Sequence, residues 1–497
     1  MEKEGKSNEI RLGSGPPLEI LDEVPKPLGK DKLTIGDILR IIGPSAIAVG
    51  IAIGGGEWMI GPSLFVKWGL GLLWITTLSC LFQTILNIEM SRYTLYTGEP
   101  INIGFMRLPG GGKVWGSLFF ILATLQVGFQ GISLALMAGT AAASLQLGRI
   151  AGLGDQGLVI AWGILHFIIG FILISIGRAI ERTLEIFFWA CLIIIIGGLL
   201  ILDLAVVPAH IWMEGFKGFV SFGYIPAGVD VLILGAIAAY SAMGGISNNG
   251  ITNYYRDKGY AMGGKVGYIP ALIGGKKIPL SPSGKVFKIN PENIRIWKQW
   301  LKLLYIDQWG LFWFGGMIGM LLPGLLAVAL LPPGTTIGGW GVAAYQGDAF
   351  RKLWGPIGFI AAIGIGWIIC FNTQIGIVEN YIRQIVDMAW SGIKGIREWA
   401  KGDVRRVYYP ITVVYMIWAF IVMNVGAPLV LLAISANIAN LIMVITALLT
   451  IYINEKFLPK EIRSPMWQHI LLVFGAIFWT IFFFFFVTQV LLGIKIF

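Results

Sequence analysis

Long apolar stretches separated by short polar segments dominate this chain of 497 residues. A helix needs about 20 mostly apolar residues to cross the hydrocarbon of a bilayer, and the chain offers about eleven such stretches. They lie near residues 38–66, 70–94, 114–145, 157–177, 183–207, 229–254, 309–331, 356–386, 409–425, 428–452 and 467–492. The pattern therefore predicts an all-α polytopic membrane protein with about eleven transmembrane helices.

Composition supports this prediction. Hydrophobic residues make up 56% of the chain, charged residues 13%, and the mean hydropathy is +0.77. A soluble domain of this length has no interior large enough to hide so much apolar surface.

The basic residues are distributed unevenly. With the amino terminus inside, the inner segments hold 31 of the 37 Lys and Arg residues, and the outer segments hold six. Cytoplasmic loops of membrane proteins collect Lys and Arg. The bias predicts a multi-pass protein of the cell membrane with a cytoplasmic amino terminus and an extracytoplasmic carboxyl terminus. It also accounts for the net charge of +10 without nucleic-acid binding.

Two of the predicted spans are interrupted by glycine and polar residues. Span one has Gly54–Gly56 followed by Glu57, and span six has Met243–Asn249 at a similar depth. Glycine packing between helices is the alternative explanation for either run alone. Spans one and six are five apart, so they cross the membrane in opposite directions. Matched breaks in that arrangement predict an inverted repeat of five plus five spans, as in LeuT-type secondary transporters.

This repeat predicts how the chain is divided: a cytoplasmic tail (1–34), a first repeat (35–207), a second repeat (226–452) and an eleventh span (465–497). The second repeat contains a long cytoplasmic loop, 258–308. In this loop the Ser281–Gly284 turn predicts two flanking extended runs. Ile294, Trp297, Leu301 and Leu304 follow at helical spacing, which predicts an amphipathic helix at the membrane interface.

The region around span one resembles the Nramp family of divalent-metal transporters. Gly43-Pro44, Leu72-Leu-Trp74, Arg92 and Thr97-Gly98 lie in the family's register, and the first-span motif Asp-Pro-Gly-Asn falls on Gly54–Glu57. Three later stretches are similar to a divergent bacterial and archaeal Nramp-like branch: 253–259, 372–376 and 454–459. The resemblance implies the LeuT-like fold and transport of a divalent metal.

The chain departs from the family's metal site. Gly54 stands where the family has its metal-binding Asp, and Glu57 stands where it has Asn. The carboxylate is thus moved by about one helical turn and can still face the same cavity. Aligned on Met243, span six has Gly244 and Gly245 in place of the family's Pro and His.

A second departure concerns the family's proton route. The family has acidic residues in span three, whereas span three of this chain has none and retains Gln126 and Gln130 as polar groups. We therefore expect membrane potential to drive transport more strongly than a proton gradient does.

The polar groups near the two breaks form the predicted substrate site. A carboxylate surrounded by neutral oxygens suits Mg²⁺, Mn²⁺ or Na⁺ better than Cu or Zn, and a Met ligand favours Mn²⁺ or Fe²⁺. The alternative for Glu57 is a protonated, hydrogen-bonded side chain. The predicted metal- or substrate-binding residues are Gly54, Glu57, Met243, Ser247, Asn248 and Gln374.

Three other residues are candidates for a proton or ion path: Glu89, His166 and Glu379. Glu89 lies three residues before Arg92 and Glu379 four before Arg383, so ion pairing at the helix ends is the alternative role. For His166 the alternative is a hydrogen-bonded packing role.

Motifs for enzymatic chemistry are missing from the sequence. It has no nucleotide-phosphate loop, no Ser-His-Asp order and no His-Glu-x-x-His motif. The predicted function is secondary active transport of a divalent cation without a cofactor. The alternatives are a cation-coupled symporter of a small organic solute, such as an amino acid, and a non-transporting membrane scaffold or enzyme subunit.

Overall fold

The computed structural model describes residues 8–177, 179–276, 278–337, 344, 346–424 and 428–494. In this part of the chain, nine helices are long and apolar enough to cross a membrane. Two further spans complete the predicted eleven. Span six consists of two short helices, and span nine is the helix Arg405–Val422. The prediction of an all-α membrane protein with about eleven spans is confirmed.

The spans follow the sequence prediction to within a few residues at most ends. Spans one and six each have two helical halves, and a wide helical turn, Gly56–Ile60, opens the second half of span one. In chain order the helices are Pro44–Ala52 and Gly61–Trp68 (span one), Leu73–Thr97, Ser117–Leu147, Gln156–Ser175, Ile180–Val206, Val231–Tyr240 and Ile246–Asp257 (span six), Phe314–Leu330, Gly347–Gly392, Arg405–Val422, Pro428–Phe457 and Met466–Phe485.

A short helix, Ile35–Ile41, precedes span one, and others lie between spans: Ile101–Phe105, Ala209–Gly218 and Lys394–Trp399. Span eight is longer than predicted because a helical turn precedes it, with a kink at Trp354 and Gly355. The predicted division into two repeats at 35–207 and 226–452 stays a prediction. The outermost residues of the predicted tail and of the predicted eleventh span, 1–7 and 495–497, lie outside the described residues.

The amphipathic helix differs from the prediction in its surroundings. It begins at Pro291, where Asn290 caps it, and continues through the turn Ile306–Trp313 directly into span seven. Its apolar face is buried in the protein, with Trp297 and Trp300 at 2% and 5% exposure. The prediction of a helix lying at the lipid interface was therefore wrong. Helical spacing identifies an apolar face, but it does not say whether lipid or protein covers that face.

The amino-terminal tail is folded onto the long loop. Strands β1 (Glu9–Ile10), β2 (Leu18–Leu21) and β3 (Lys285–Phe287) form a small sheet, antiparallel between β1 and β2 and parallel between β2 and β3. Of the two extended runs predicted in the loop, only the second is a strand; Ile278–Leu280 is irregular, and residue 277 lies outside the described residues. We refer to the membrane face that carries this sheet as the tail side.

A buried ion pair fastens the tail to the loop between spans two and three. Arg107 donates to both oxygens of Glu99 over 2.6 and 2.7 Å, and also to the backbone oxygens of Leu12 and Pro16. Burial alone raises the pKa of Glu99, but Arg107 and the hydroxyl of Tyr93 outweigh it and hold this pKa below its usual value. Glu99 therefore stays ionised and keeps the tail attached at neutral pH.

The orientation of the chain can be tested with cysteine labelling. The three native cysteines are buried and do not compete for a polar reagent. Lys394 and Arg149, with side chains 82% and 59% exposed, lie on opposite sides of the predicted membrane. We expect Lys394→Cys to react with an impermeant maleimide only from the cytoplasm and Arg149→Cys only from outside. The reverse labelling pattern would contradict the orientation inferred from Lys and Arg.

Candidate functional site

The break in span one is shaped by close contacts with two other spans. The tail-side helix of span one ends at Ala52, and Ile53 leaves the helical conformation with ψ of 81°. A Cβ added at Gly54 would lie 2.3 Å from the Thr373 hydroxyl of span eight, and one at Gly56 would lie 2.0 Å from the backbone oxygen of Tyr240 in span six. The glycines therefore allow span one to touch spans six and eight through its backbone.

The break in span six runs from Ser241 to Gly245. Three of its residues have positive φ: Ala242 at 83°, Gly244 at 79° and Gly245 at 61°. For glycine this conformation is without penalty, whereas for Ala242 it is strained. Strained backbone persists where the surrounding structure holds it, and it concentrates at functional sites.

Glu57 connects the two breaks. Its Oε1 accepts a hydrogen bond of 2.8 Å from the Ala242 N–H, and its Oε2 accepts one of 3.3 Å from the Gly54 N–H. The side chain is 0% exposed. One carboxylate thus satisfies backbone donors from both interrupted helices, including the N–H of the strained residue in span six. The two breaks, which are 185 residues apart in sequence at this bond, form a single unit.

Two glutamines support the break in span six from opposite sides. Gln83 of span two donates to the Ser241 oxygen over 2.7 Å and accepts from the Gly244 N–H over 3.0 Å. Gln126 of span three accepts from the Ile246 N–H over 2.9 Å and donates to the Gly244 oxygen over 3.2 Å. These bonds satisfy backbone groups that a membrane helix would otherwise pair internally.

Thr373 of span eight hydrogen-bonds to backbone oxygens at the break of span one. Its hydroxyl lies within 3.4 Å of the Gly50 oxygen and 3.3 Å of the Ile53 oxygen. Thr373 and Gln83 were missed as site residues. Thr373 lies inside the 372–376 stretch that carries part of the family resemblance, and Gln83 is an amide within an apolar span. An amide at that depth needs a buried hydrogen-bond partner, so its position in the span could have identified Gln83 from the sequence.

Of the remaining predicted residues, three lie in or beside the break of span six. Met243 is buried in the break of span six, and Ser247 and Asn248 lie in the first turn after it. Asn248 donates to Gln83 and Asn87 of span two, so its amide group is turned toward that span. Gln374 is buried in span eight. The structure thus joins Gly54 and Glu57 directly, whereas Asn248 bonds elsewhere.

Three of these residues carry buried oxygens that accept no hydrogen bond within the described residues: Ser247 Oγ, Asn248 Oδ1 and Gln374 Oε1. Buried acceptors without a donor are uncommon and call for a water molecule or an ion. The last carbonyl oxygens of the helices at the breaks are mostly taken, since Thr373 bonds to the Gly50 oxygen, and Ser79 and Gln83 donate to the Ala238 and Ala239 oxygens. The groups left to bind a cation are therefore the Glu57 carboxylate and these side-chain oxygens.

Among the described residues, no group of three or more His, Cys, Asp or Glu side chains is arranged to hold a metal ion. Zinc and copper sites rely on such clusters. The residues at the breaks fit a hard cation held by one carboxylate and neutral oxygens, with the Met243 thioether as a soft donor in the break of span six.

The path candidates have neighbours that fix them in place. Glu89 pairs with Arg92 at 3.3 Å and accepts a hydrogen bond from Asn454 at the tail-side end of span ten. His166 accepts from Trp367 over 2.9 Å, with the Phe371 ring 5.0 Å away. Each of these two side chains therefore has a packing or pairing role that needs no proton transfer.

Glu379 belongs to a larger buried cluster between spans six and eight. It pairs with Arg383 at 2.5 Å and accepts from Tyr254 and Tyr408. Arg383 also contacts Asp257. Rather than an ion pair at a helix end, this is a network that ties the tail-side half of span six to span eight.

Comparison with known proteins identifies solved structures that share this fold. No protein-family model matches the chain, and no curated protein matches it either. Three crystal structures of mutants of the Eremococcus coleocola manganese transporter superpose on 95% of this chain and 90% of theirs, with TM-scores of 0.60 to 0.61. Their sequence identities to this chain are 13 to 14%.

The chain has the fold of this manganese transporter. The fold implied by the resemblance to Nramp transporters is confirmed, including the two interrupted spans. At such low identity the likeness concerns the fold alone, so the chemistry of the site depends on the side chains of this chain.

Proposed function

We propose that this protein is a secondary active transporter of a divalent cation of the Mn²⁺, Fe²⁺ or Mg²⁺ class. The observation that carries the proposal is Glu57, a buried carboxylate that bonds to both interrupted helices inside the membrane. An intramembrane ionisable residue is costly and is retained where it handles substrate or ions. The fold shared with a manganese transporter supports the same conclusion.

The chemistry of the site favours a cation over an anion. Glu57 brings the negative charge, and Ser247, Asn248 and Gln374 bring oxygens that are free to accept. Carboxylate and neutral oxygens are the ligands preferred by Mg²⁺ and Mn²⁺. The absence of a His and Cys cluster from the described residues argues against a site selective for zinc or copper.

Transport would proceed by alternating access around the two breaks. Gly54 to Glu57 are all buried, so this structure presents the site closed to both sides. At the tail side, Asp307 accepts from the Gly43 and Ser45 N–H groups and from Tyr255, which ties the start of span one to spans six and seven. Opening toward the cytoplasm requires these bonds to break, because they hold the inner half of span one in place.

Uptake into proteoliposomes tests the proposal. Purified protein should accumulate Mn²⁺, Fe²⁺ or Mg²⁺ above the level of protein-free vesicles, and the three cations should compete. Uptake of an amino acid that metals do not compete for would favour the organic-solute symporter. No uptake of either class would favour the membrane scaffold.

Coupling is expected to depend more on charge than on protons. Span three contains no acidic residue, and Glu89 and Glu379 are held by Arg92 and Arg383. In proteoliposomes, an imposed membrane potential, negative inside, should therefore raise the rate of cation uptake more than an inward proton gradient does. An absolute requirement for inward protons would contradict this expectation and point to Glu89, His166 or Glu379.

A further inference from the structure

We propose that an apolar crevice between spans one, five and seven binds an acyl chain of a membrane lipid near the middle of the bilayer. The crevice has a volume of about 270 Å³. Every residue that lines it is apolar or glycine; six of them are Val49, Trp189, Ile193, Gly197, Gly310 and Phe314. We refer to it as the span-one crevice.

The depth of the span-one crevice places it within the hydrocarbon of the bilayer. Trp189 and Gly197 lie well inside the helix Ile180–Val206. At 1.5 Å per residue they are about 14 and 26 Å from its tail-side end. Ile193 and Phe314 at the mouth are 70% and 57% exposed. The crevice thus opens sideways to lipid rather than to water.

Side chains of the protein leave this space unfilled. A Cβ added at Gly197 or at Gly310 would meet no described atom within 4 Å. An apolar cavity does not hold water, and a void loses dispersion contacts along its whole lining. At this depth the available molecules are hydrocarbon chains, so an acyl chain is the occupant that the lining fits.

The site adjoins the part of the protein that the proposed function requires to move. Val49 belongs to the inner half of span one and packs against Gly315 of span seven, where an added Cβ would lie 2.7 Å from its Cγ1. A chain in the crevice would therefore rest directly against the inner half of span one. Binding of the acyl chain does not depend on the proposed function. An effect of the bound lipid on the transport rate would rest on that function.

Photolabelling with a diazirine-bearing phosphatidylcholine tests the binding. The protein is reconstituted with this lipid, irradiated and digested, and the adducts are located by mass spectrometry. We expect several-fold more adducts on peptides containing Trp189–Gly197 and Gly310–Phe314 than on the open lipid-facing surface at Ile357 and Ile360, which are 78% and 58% exposed. Equal yields at the two surfaces would overturn the proposal.

Space-filling variants provide the matched control. Gly197→Leu and Gly310→Leu, singly and together, should remove the excess adducts because their side chains occupy the crevice. Gly364→Leu in span eight also has open space above its Cβ but lies outside the crevice. It should leave the labelling unchanged. Excess labelling that persists in the filled variants would contradict the site, and the single variants give this answer even if the double variant does not fold.

Discussion

Replacing Glu57 by glutamine is expected to remove most cation transport while leaving the protein folded. The change keeps the shape of the side chain and deletes its charge. Contacts to a charged group are roughly twice as strong as neutral ones. We expect uptake at low cation concentration to fall at least about tenfold, equivalent to about 1.4 kcal/mol of binding free energy. The measurement is initial uptake in proteoliposomes as a function of cation concentration.

Two further variants separate the charge of Glu57 from its structural bonds. An amide can accept from only one of the Ala242 and Gly54 N–H groups, so Glu57→Gln should lower the melting temperature less than Glu57→Ala, which accepts from neither. Asp203→Asn is the matched control, because Asp203 is also a buried acid within a span but lies in span five, away from the breaks. It should transport like the wild type. Full uptake and affinity in Glu57→Gln would contradict the role assigned to its charge.

Gly56→Ala is expected to damage both folding and transport, although it adds a single methyl group. That methyl would lie 2.0 Å from the Tyr240 backbone oxygen, far inside van der Waals contact, and a backbone atom has no rotamer with which to move away. Overpacking of this kind costs about 1–3 kcal/mol. We expect a lower yield of monodisperse protein, a lower melting temperature and strongly reduced uptake, measured by size-exclusion chromatography, thermal denaturation and tracer uptake.

Gly364→Ala is the control for this prediction, since the added methyl there meets no described atom within 4 Å and lies outside the span-one crevice. It should behave like the wild type in all three measurements. Wild-type stability and uptake in Gly56→Ala would mean that the contact between spans one and six is looser than the structure has it.

The number of spans was predictable from the sequence, and so was the presence of a break in spans one and six. The break in span six lies earlier than predicted, at Ser241–Gly245 rather than Met243–Asn249, because residues 247–249 belong to the helix Ile246–Asp257. Hydrophobic length decides where a helix crosses a bilayer, and glycine runs beside polar groups mark where a helix is interrupted. The positive φ of Ala242 could not be predicted, because alanine favours helices, and its N–H bonds to Glu57, which is distant in sequence. The sequence around Ala242 does not indicate a contact with a residue 185 positions away.

Other features depend on tertiary contacts in the same way. The polar pair Asp307 and Gln308 resembles the end of a loop in sequence, yet it lies within a continuous helix and bonds to the start of span one. Gln83 belongs to no motif in the sequence, and its hydrogen bonds to Ser241 and Gly244 depend on how span six packs against span two. Residue patterns thus predicted which spans form the site but not which side chains hold its geometry.

The central claim is that a divalent cation binds between the two interrupted helices at Glu57. The most direct test is anomalous diffraction from crystals grown with Mn²⁺, collected at the manganese absorption edge. A single strong peak within bonding distance of the Glu57 carboxylate, absent from crystals of Glu57→Gln, is the predicted result. A peak bound elsewhere in the membrane region, with none near Glu57, would contradict the account.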